Sequence, residues 1–224
     1  MPDHLTHLRA DVDAVLAVVA GADLSEPVAA CPGWTLRELV EHLGSVHRWA
    51  TSIVQTGEPQ RMQEQHPDDL GAWFAEGAEG LIATLAAADP QAQCWSFTAD
   101  RTAGFWLRRQ ALETVVHRWD AERAAGEPGP IDARLAADGV EEIVTLMTPR
   151  QIAMERIPLL PATLLLHATD TGGEWVLGDG DPTARVEASA ETLLLLIWHR
   201  VDPGDPRVHT TGDAESVLRL ALAP

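Results

Sequence analysis

The sequence predicts an all-α domain over residues 1–150 followed by a small α+β unit over residues 151–224. Three observations carry this. Apolar residues recur at helical spacing in long segments of the first half, and Gly- and Pro-containing breakers separate those segments. After about residue 150 the texture changes to short alternating runs joined by turn residues, the pattern of strands. A 46% apolar content over 224 residues is enough for a sizeable core.

Taken in order, residues 4–20 place Leu5, Leu8, Val12, Val15, Leu16 and Val19 on one helix face, with Gly21 as a stop. The loop ADLSEPVAACPGW leads to Thr35 and Glu38, spaced as a capping box, which starts a second helix running to Gly57 and Pro59. Its apolar side holds Leu36, Leu39, Val40, Leu43, Val46, Ala50, Ile53 and Val54. His42 lies at the margin of that side and His47 is at least as central, so the helical wheel does not choose between them. Asp68 or Asp69 starts a third helix with Leu70, Trp73, Phe74, Gly77, Leu81 and Leu85 inward, ended by Pro90.

The fourth helix, from about Gly104 to Ala125, carries the chemistry. With ~100° per residue, Gln110, Glu113, His117 and Asp120 fall within about 80° of one another, together with Trp106. The opposite side, with Leu112, Val115, Val116 and Trp119, is apolar, so the helix cannot simply place one greasy face inward and one wet face outward. Buried carboxylates and imidazoles cost several kcal/mol unless paired, hydrogen-bonded or bound to a metal. A Glu and a His four apart can share a divalent ion on one side of a helix, with a third ligand from a neighbour and an open position for water or substrate. The same spacing also allows surface pairs of Glu113 with Arg108 or Arg109 and a half-buried core histidine at 117. From the residues alone both readings stand.

GEPGP breaks the chain, and a further helix follows Asp132 through Leu135, Val140, Ile143, Val144 and Leu146 up to Pro149. Beyond it, PATLLLHATD and GEWVLGDG read as strands joined by a turn at 170–173, TARVEAS as a third strand, and SAETLLLLIWHRV as a helix capped by Ser189. VHTTGDAESVLRLAL adds a strand and a last helix capped near Asp213.

Composition narrows the function classes. The formal charge is −18 and all sixteen basic residues are arginine, which argues against a duplex nucleic-acid or anionic-membrane surface. No run approaches the ~18 apolar residues of a membrane span, and the first residues lack the cationic start and apolar run of a secretory leader, so the cytoplasm is the expected compartment. Cys31 and Cys94 form no ligand spacing and are expected as free thiols, Cys31 packing its loop. Trp34 and Trp49 are expected to pack the helices, and His167 to be an ordinary strand histidine.

The stretches CPGWTLRELVEHLGSVHRWA (31–50), ETVVHRWDAERAAG (113–126), ADGVEE (137–142) and the tail through LLLHATDTGGEW, LLLLIWHR and TGD resemble, in order, the mycothiol-dependent maleylpyruvate isomerase family. That resemblance covers nearly the whole chain. It implies a DinB-like four-helix bundle of up-down-down-up type ahead of the family's C-terminal domain. It also implies a divalent metal, usually Zn2+, held by His42, Glu113 and His117, which selects His42 over His47. Mycothiol is the implied thiol cosubstrate, adding to an electrophilic small molecule such as maleylpyruvate in an isomerase or S-transferase reaction. An arginine of the C-terminal domain is implied near the substrate; Arg200 is the candidate, with Arg219 behind it. Asp120, one turn beyond His117, is placed to accept the spare ring N–H of that ligand. A metal-dependent hydrolase using bound water, or a non-catalytic metal-binding or thiol-sensing protein, are the alternatives to be separated from this reading.

Overall fold

The computed structural model describes residues 2–223, which divide into two compact units, Asp3–Gly129 and the chain from Pro130 onward. The first unit is built from four helices: α1 (His4–Gly21), α2 (Leu36–Thr56), α3 (Leu70–Ala87) and α4 (Ala103–Ala125). Each start is fixed by a side chain that satisfies an otherwise orphaned backbone N–H. Asp3 accepts from Thr6, Asp69 from Ala72 and Thr102 from Phe105, while Thr35 and Glu38 form the full reciprocal capping box. Gly57 ends α2 in the left-handed region, at φ 76°, where a side chain would be strained.

α1 and α2 each pack against both α3 and α4, so α1 lies across from α2 and α3 across from α4. The core between them includes Leu8, Leu39, Ile53, Phe74, Leu81 and Trp106, all with almost no exposed surface. α4 is buried along most of its length and on every side, which explains why its sequence shows no single apolar face. At one end Trp49, Trp95 and Trp106 meet edge-on or stacked, and Trp106 Nε1 donates to the Trp95 carbonyl at 2.7 Å. That cluster pins α2 to α4.

The second unit begins with α5 (Ala133–Glu142), a π-helical turn (Ile143–Met147) and α6 (Thr148–Ala153). Here the structure differs from the sequence reading twice. Pro149 does not end the helix but sits in the first turn of α6, where its missing N–H removes no needed hydrogen bond, and the Thr148 N–H reaches back to Ile143 across the π turn. The division between units falls at Gly129–Pro130 rather than near residue 150, because α5 packs on α7 (Ala190–Ile197) of the second unit.

Its sheet runs β2-β1-β3-β4, from β1 (Leu164–Ala168), β2 (Glu174–Leu177), β3 (Ala184–Ala188) and β4 (His209–Thr211). β1 and β2 form the antiparallel hairpin, β1 and β3 are parallel, and β3 and β4 are antiparallel. The turn at 170–173 uses Gly172 at φ 71°. α7 buries its whole leucine run, and its Ser189 cap accepts from Thr192. α8 (Glu215–Leu218) is a single turn, and the chain end returns to α6, where Gln151 Nε2 donates to the Ala223 carbonyl at 3.0 Å. Among the described residues no helix is long and apolar enough to cross a membrane.

Candidate metal centre

The polar stripe of α4 is buried: Gln110, Glu113, His117 and Asp120 all lie inside the first unit. α2 brings His42 to the same place. His42 Nε2 is 3.7 Å and His117 Nε2 3.3 Å from Glu113 Oε1, and the two imidazole rings meet edge-on with centroids 5.5 Å apart. One ligand atom from each of the three residues lies within 4.8 Å of the other two. His117 Nδ1 is 3.1 Å from Asp120 Oδ2. Two imidazoles and one carboxylate around a common point, with a second carboxylate on the far nitrogen of one imidazole, is the donor set of an open zinc-type site. The residues present fit a divalent ion.

The electrostatics agree with this density of polar groups. Burial would raise the Glu113 carboxyl, but the buried Arg109 guanidinium, paired with it one turn earlier on α4, and the hydrogen bonds from His117 and His42 hold it well below the usual carboxylate range. Burial would lower His117, yet the carboxylates of Asp120 and Glu113 outweigh it and push the imidazole up to about 9. The Arg109–Glu113 pair that helical spacing allowed is therefore formed, but inside the protein rather than on its surface. Helical spacing offered it only as a surface pair; its burial makes it a partner of the cluster.

His47 is not part of the cluster. It is fully buried one face away, with Nε2 2.9 Å from Thr114 Oγ1, and burial lowers it to about 3, so it is neutral. Cys31 is in no disulfide, and with His117 and Asp120 it forms a second group of potential ligands around the far side of the same imidazole. Trp34 lies against His42 with ring centroids 5.0 Å apart. Trp49 packs in the aromatic cluster.

His42 is half-buried, while Glu113 and His117 are buried, so the approach is from the His42 side. A cavity of about 160 Å³ opens there, lined by Trp34, His42 and Ser45 and by the segment from Met62 to His66. Nothing in the sequence marked that segment, a polar loop whose side chains fold back over α2. Its anchor is a 2.7 Å contact of His66 Nδ1 with Glu41.

In the second unit, Arg200 follows α7, with Nη1 donating to the Trp198 carbonyl at 2.6 Å and its guanidinium over the Trp198 ring at 5.2 Å. Arg219 is exposed and pairs with Glu215. His167 lies in β1, its Nδ1 2.9 Å from Glu187, as an ordinary strand histidine.

Comparison with known proteins places this geometry in context. The sequence profile of the mycothiol maleylpyruvate isomerase N-terminal domain matches residues 5–122, and that of the corresponding C-terminal domain matches residues 134–219. Two uncharacterized proteins from strains of Mycobacterium tuberculosis are each 26% identical over 153 residues, covering 65% of this chain and 80% of the relative. The crystal structure of a mycothiol-dependent maleylpyruvate isomerase superposes with a TM-score of 0.72 at 13% identity, over 94% of this chain and 93% of that one. A histidine-to-alanine variant of a mycothiol-dependent maleylpyruvate isomerase gives a TM-score of 0.70 at the same coverage.

Proposed function

Because the chain belongs to the mycothiol maleylpyruvate isomerase family, we propose that it is a metal- and mycothiol-dependent isomerase or S-transferase acting on an electrophilic small molecule. The four helices are read as the DinB-like bundle of up-down-down-up type. The observation that carries the reading is the convergence of His42, Glu113 and His117 from two helices, with Asp120 behind His117. These three residues would hold the ion, zinc by the chemistry of the donor set. A divalent ion there would supply Lewis acidity that lowers the pKa of a thiol toward the neutral range.

The chain's own residues do the rest. Asp120 accepts from His117 Nδ1, so Nε2 is the nitrogen that faces the centre and would hold the ion after giving up its own proton. Arg109 keeps Glu113 ionised, so the carboxylate is ready as a ligand at any ordinary pH. The half-exposed side of His42 leaves a path for thiol and electrophile. Addition of the thiolate carbon-ward to an activated cis double bond forms a C–S bond and places the electron pair on the neighbouring carbon; the former double bond can then rotate. Return of that pair expels the thiolate and gives the trans alkene, whereas protonation of the carbon gives the S-conjugate. Arg200 is proposed as the counter-charge to a substrate carboxylate.

Metal analysis of the purified protein beside His42→Ala and Glu113→Gln, with mycothiol titrated calorimetrically into each, tests the reading. Near-stoichiometric zinc in wild type only, and thiol binding that requires it, is the expected result. Zinc without thiol binding would favour hydrolysis by bound water, and no metal in any sample would overturn the site.

A further inference from the structure

The cavity beside His42 carries an unusual set of side chains. Besides Trp34, His42 and His66 its lining includes three carboxylates, Glu38, Glu41 and Glu64, and no arginine. Glu38 is held by the Thr35 backbone and Glu41 by His66 and Arg37, so both are fixed in place. Ser45, one turn beyond His42 on α2, also lines the cavity; it is 3% exposed and its hydroxyl has no hydrogen-bond partner. Leaving such a group buried and unpaired costs stability, so something is expected to pair with it.

We propose that this cavity is a specificity pocket for an uncharged polar arm of the electrophile, an amide or hydroxyl, and that it rejects a carboxylate at that position. The inference rests on the isomerase or S-transferase reading and narrows its substrate class. The arm pairs with the Ser45 hydroxyl, while Glu38, Glu41 and Glu64 repel an anion. A volume of about 160 Å³ is that of ~5 liquid waters at ~30 Å³ each, enough for one small polar group. Of the family's chemistry, a cis alkene with a carboxylate at both ends is thus disfavoured here, and one with an amide or hydroxyl at one end is favoured.

The test compares maleamate with maleate, which share the cis alkene and one carboxylate and differ only in carrying an amide or a second carboxylate. Both are titrated calorimetrically into the full-length protein, zinc-loaded and after chelation, and into Ser45→Ala and the Glu41→Gln/Glu64→Gln double variant. Maleamate is expected to bind at least tenfold more tightly than maleate in both metal states. Ser45→Ala should weaken maleamate several-fold without lowering the melting temperature, since it removes an unpaired buried hydroxyl. The double variant should narrow the preference by admitting maleate. Maleate binding as tightly as maleamate in either state, or unchanged maleamate affinity in Ser45→Ala, overturns the pocket. Failure of the underlying reading registers separately, as absent zinc or absent thiol binding with the maleamate preference intact.

Discussion

The Asp120 carboxylate lies 3.1 Å from His117 Nδ1, one turn further along α4, with its side chain wholly buried. This contact sets which imidazole nitrogen faces Glu113 and His42. Partners of this kind fix ligand tautomer and ring orientation, and their loss costs about 10- to 100-fold in metal affinity. Asp120→Ala should therefore weaken zinc by that factor while leaving the helical content unchanged. Competition against a chromophoric chelator measures it, and an unchanged affinity would make Asp120 a packing residue only.

Glu113 is both a candidate metal ligand and the ion-pair partner of Arg109. Breaking a buried ion pair by removing one member typically costs ~3–5 kcal/mol. Glu113→Ala should show a loss of that order in metal-free unfolding, on top of losing the ion. Glu113→Gln keeps an acceptor for Arg109 and should lose the metal with a smaller loss of stability. Denaturant unfolding of both variants, read beside their metal content, separates the structural role from the ligand role. Equal destabilisation of the two would mean that charge, not hydrogen bonding, holds Arg109.

Two buried groups should give opposite pH slopes. His47, lowered to about 3 from an ordinary 6.5 by burial, binds no proton in the folded state across a window where the unfolded chain does, so its contribution is lost as pH falls from 6.5 toward 3. Asp11, raised to about 6 from 3.8 by burial against the pull of Arg118, binds a proton in the folded state first, so its contribution grows as pH falls from 6 toward 3.8. Each slope is about 1.4 kcal/mol per pH unit. Measured against wild type by urea unfolding between pH 6 and 4, His47→Gln should gain stability at that rate as pH falls and Asp11→Asn should lose it. A flat difference for His47→Gln would mean that the imidazole is protonated inside the fold.

Much of this architecture is legible in the sequence because it is local. The capping box at Thr35 and Glu38, the Asp69 start of α3 and the turn at 170–173 are each decided by a few adjacent residues. Pro149 was misleading for a reason of position: a proline ends a helix in its interior but starts one in its first turn, and the π turn before it was not visible in the apolar pattern. The site was half legible. Spacing on one helix marked Glu113, His117 and Asp120 together, but choosing His42 over His47 needs the neighbouring helix, and that choice came from family resemblance. The burial of the Arg109–Glu113 pair and the place of Ser45 in the cavity beside His42 depend on how α4 and α2 pack, which no periodicity in either helix specifies.

Cys31 sets a last test, because His117 stands between two groups of potential ligands. On one side are His42 and Glu113; on the other are Cys31 and Asp120. Both cannot use the imidazole in the same way, since His117 Nε2 faces Glu113 while Nδ1 is engaged with Asp120. A metal on the Cys31 side would have to displace that hydrogen bond, whereas one on the His42 side keeps it. Cys31→Ser should therefore retain zinc at wild-type stoichiometry and affinity within about twofold, and His42→Ala should lose it. Cadmium supplies an independent readout, since thiolate ligation gives an ultraviolet charge-transfer band that imidazole and carboxylate do not. The wild-type cadmium protein is expected to lack a band dependent on Cys31; its presence in wild type and loss in Cys31→Ser would move the ion to the other side of His117.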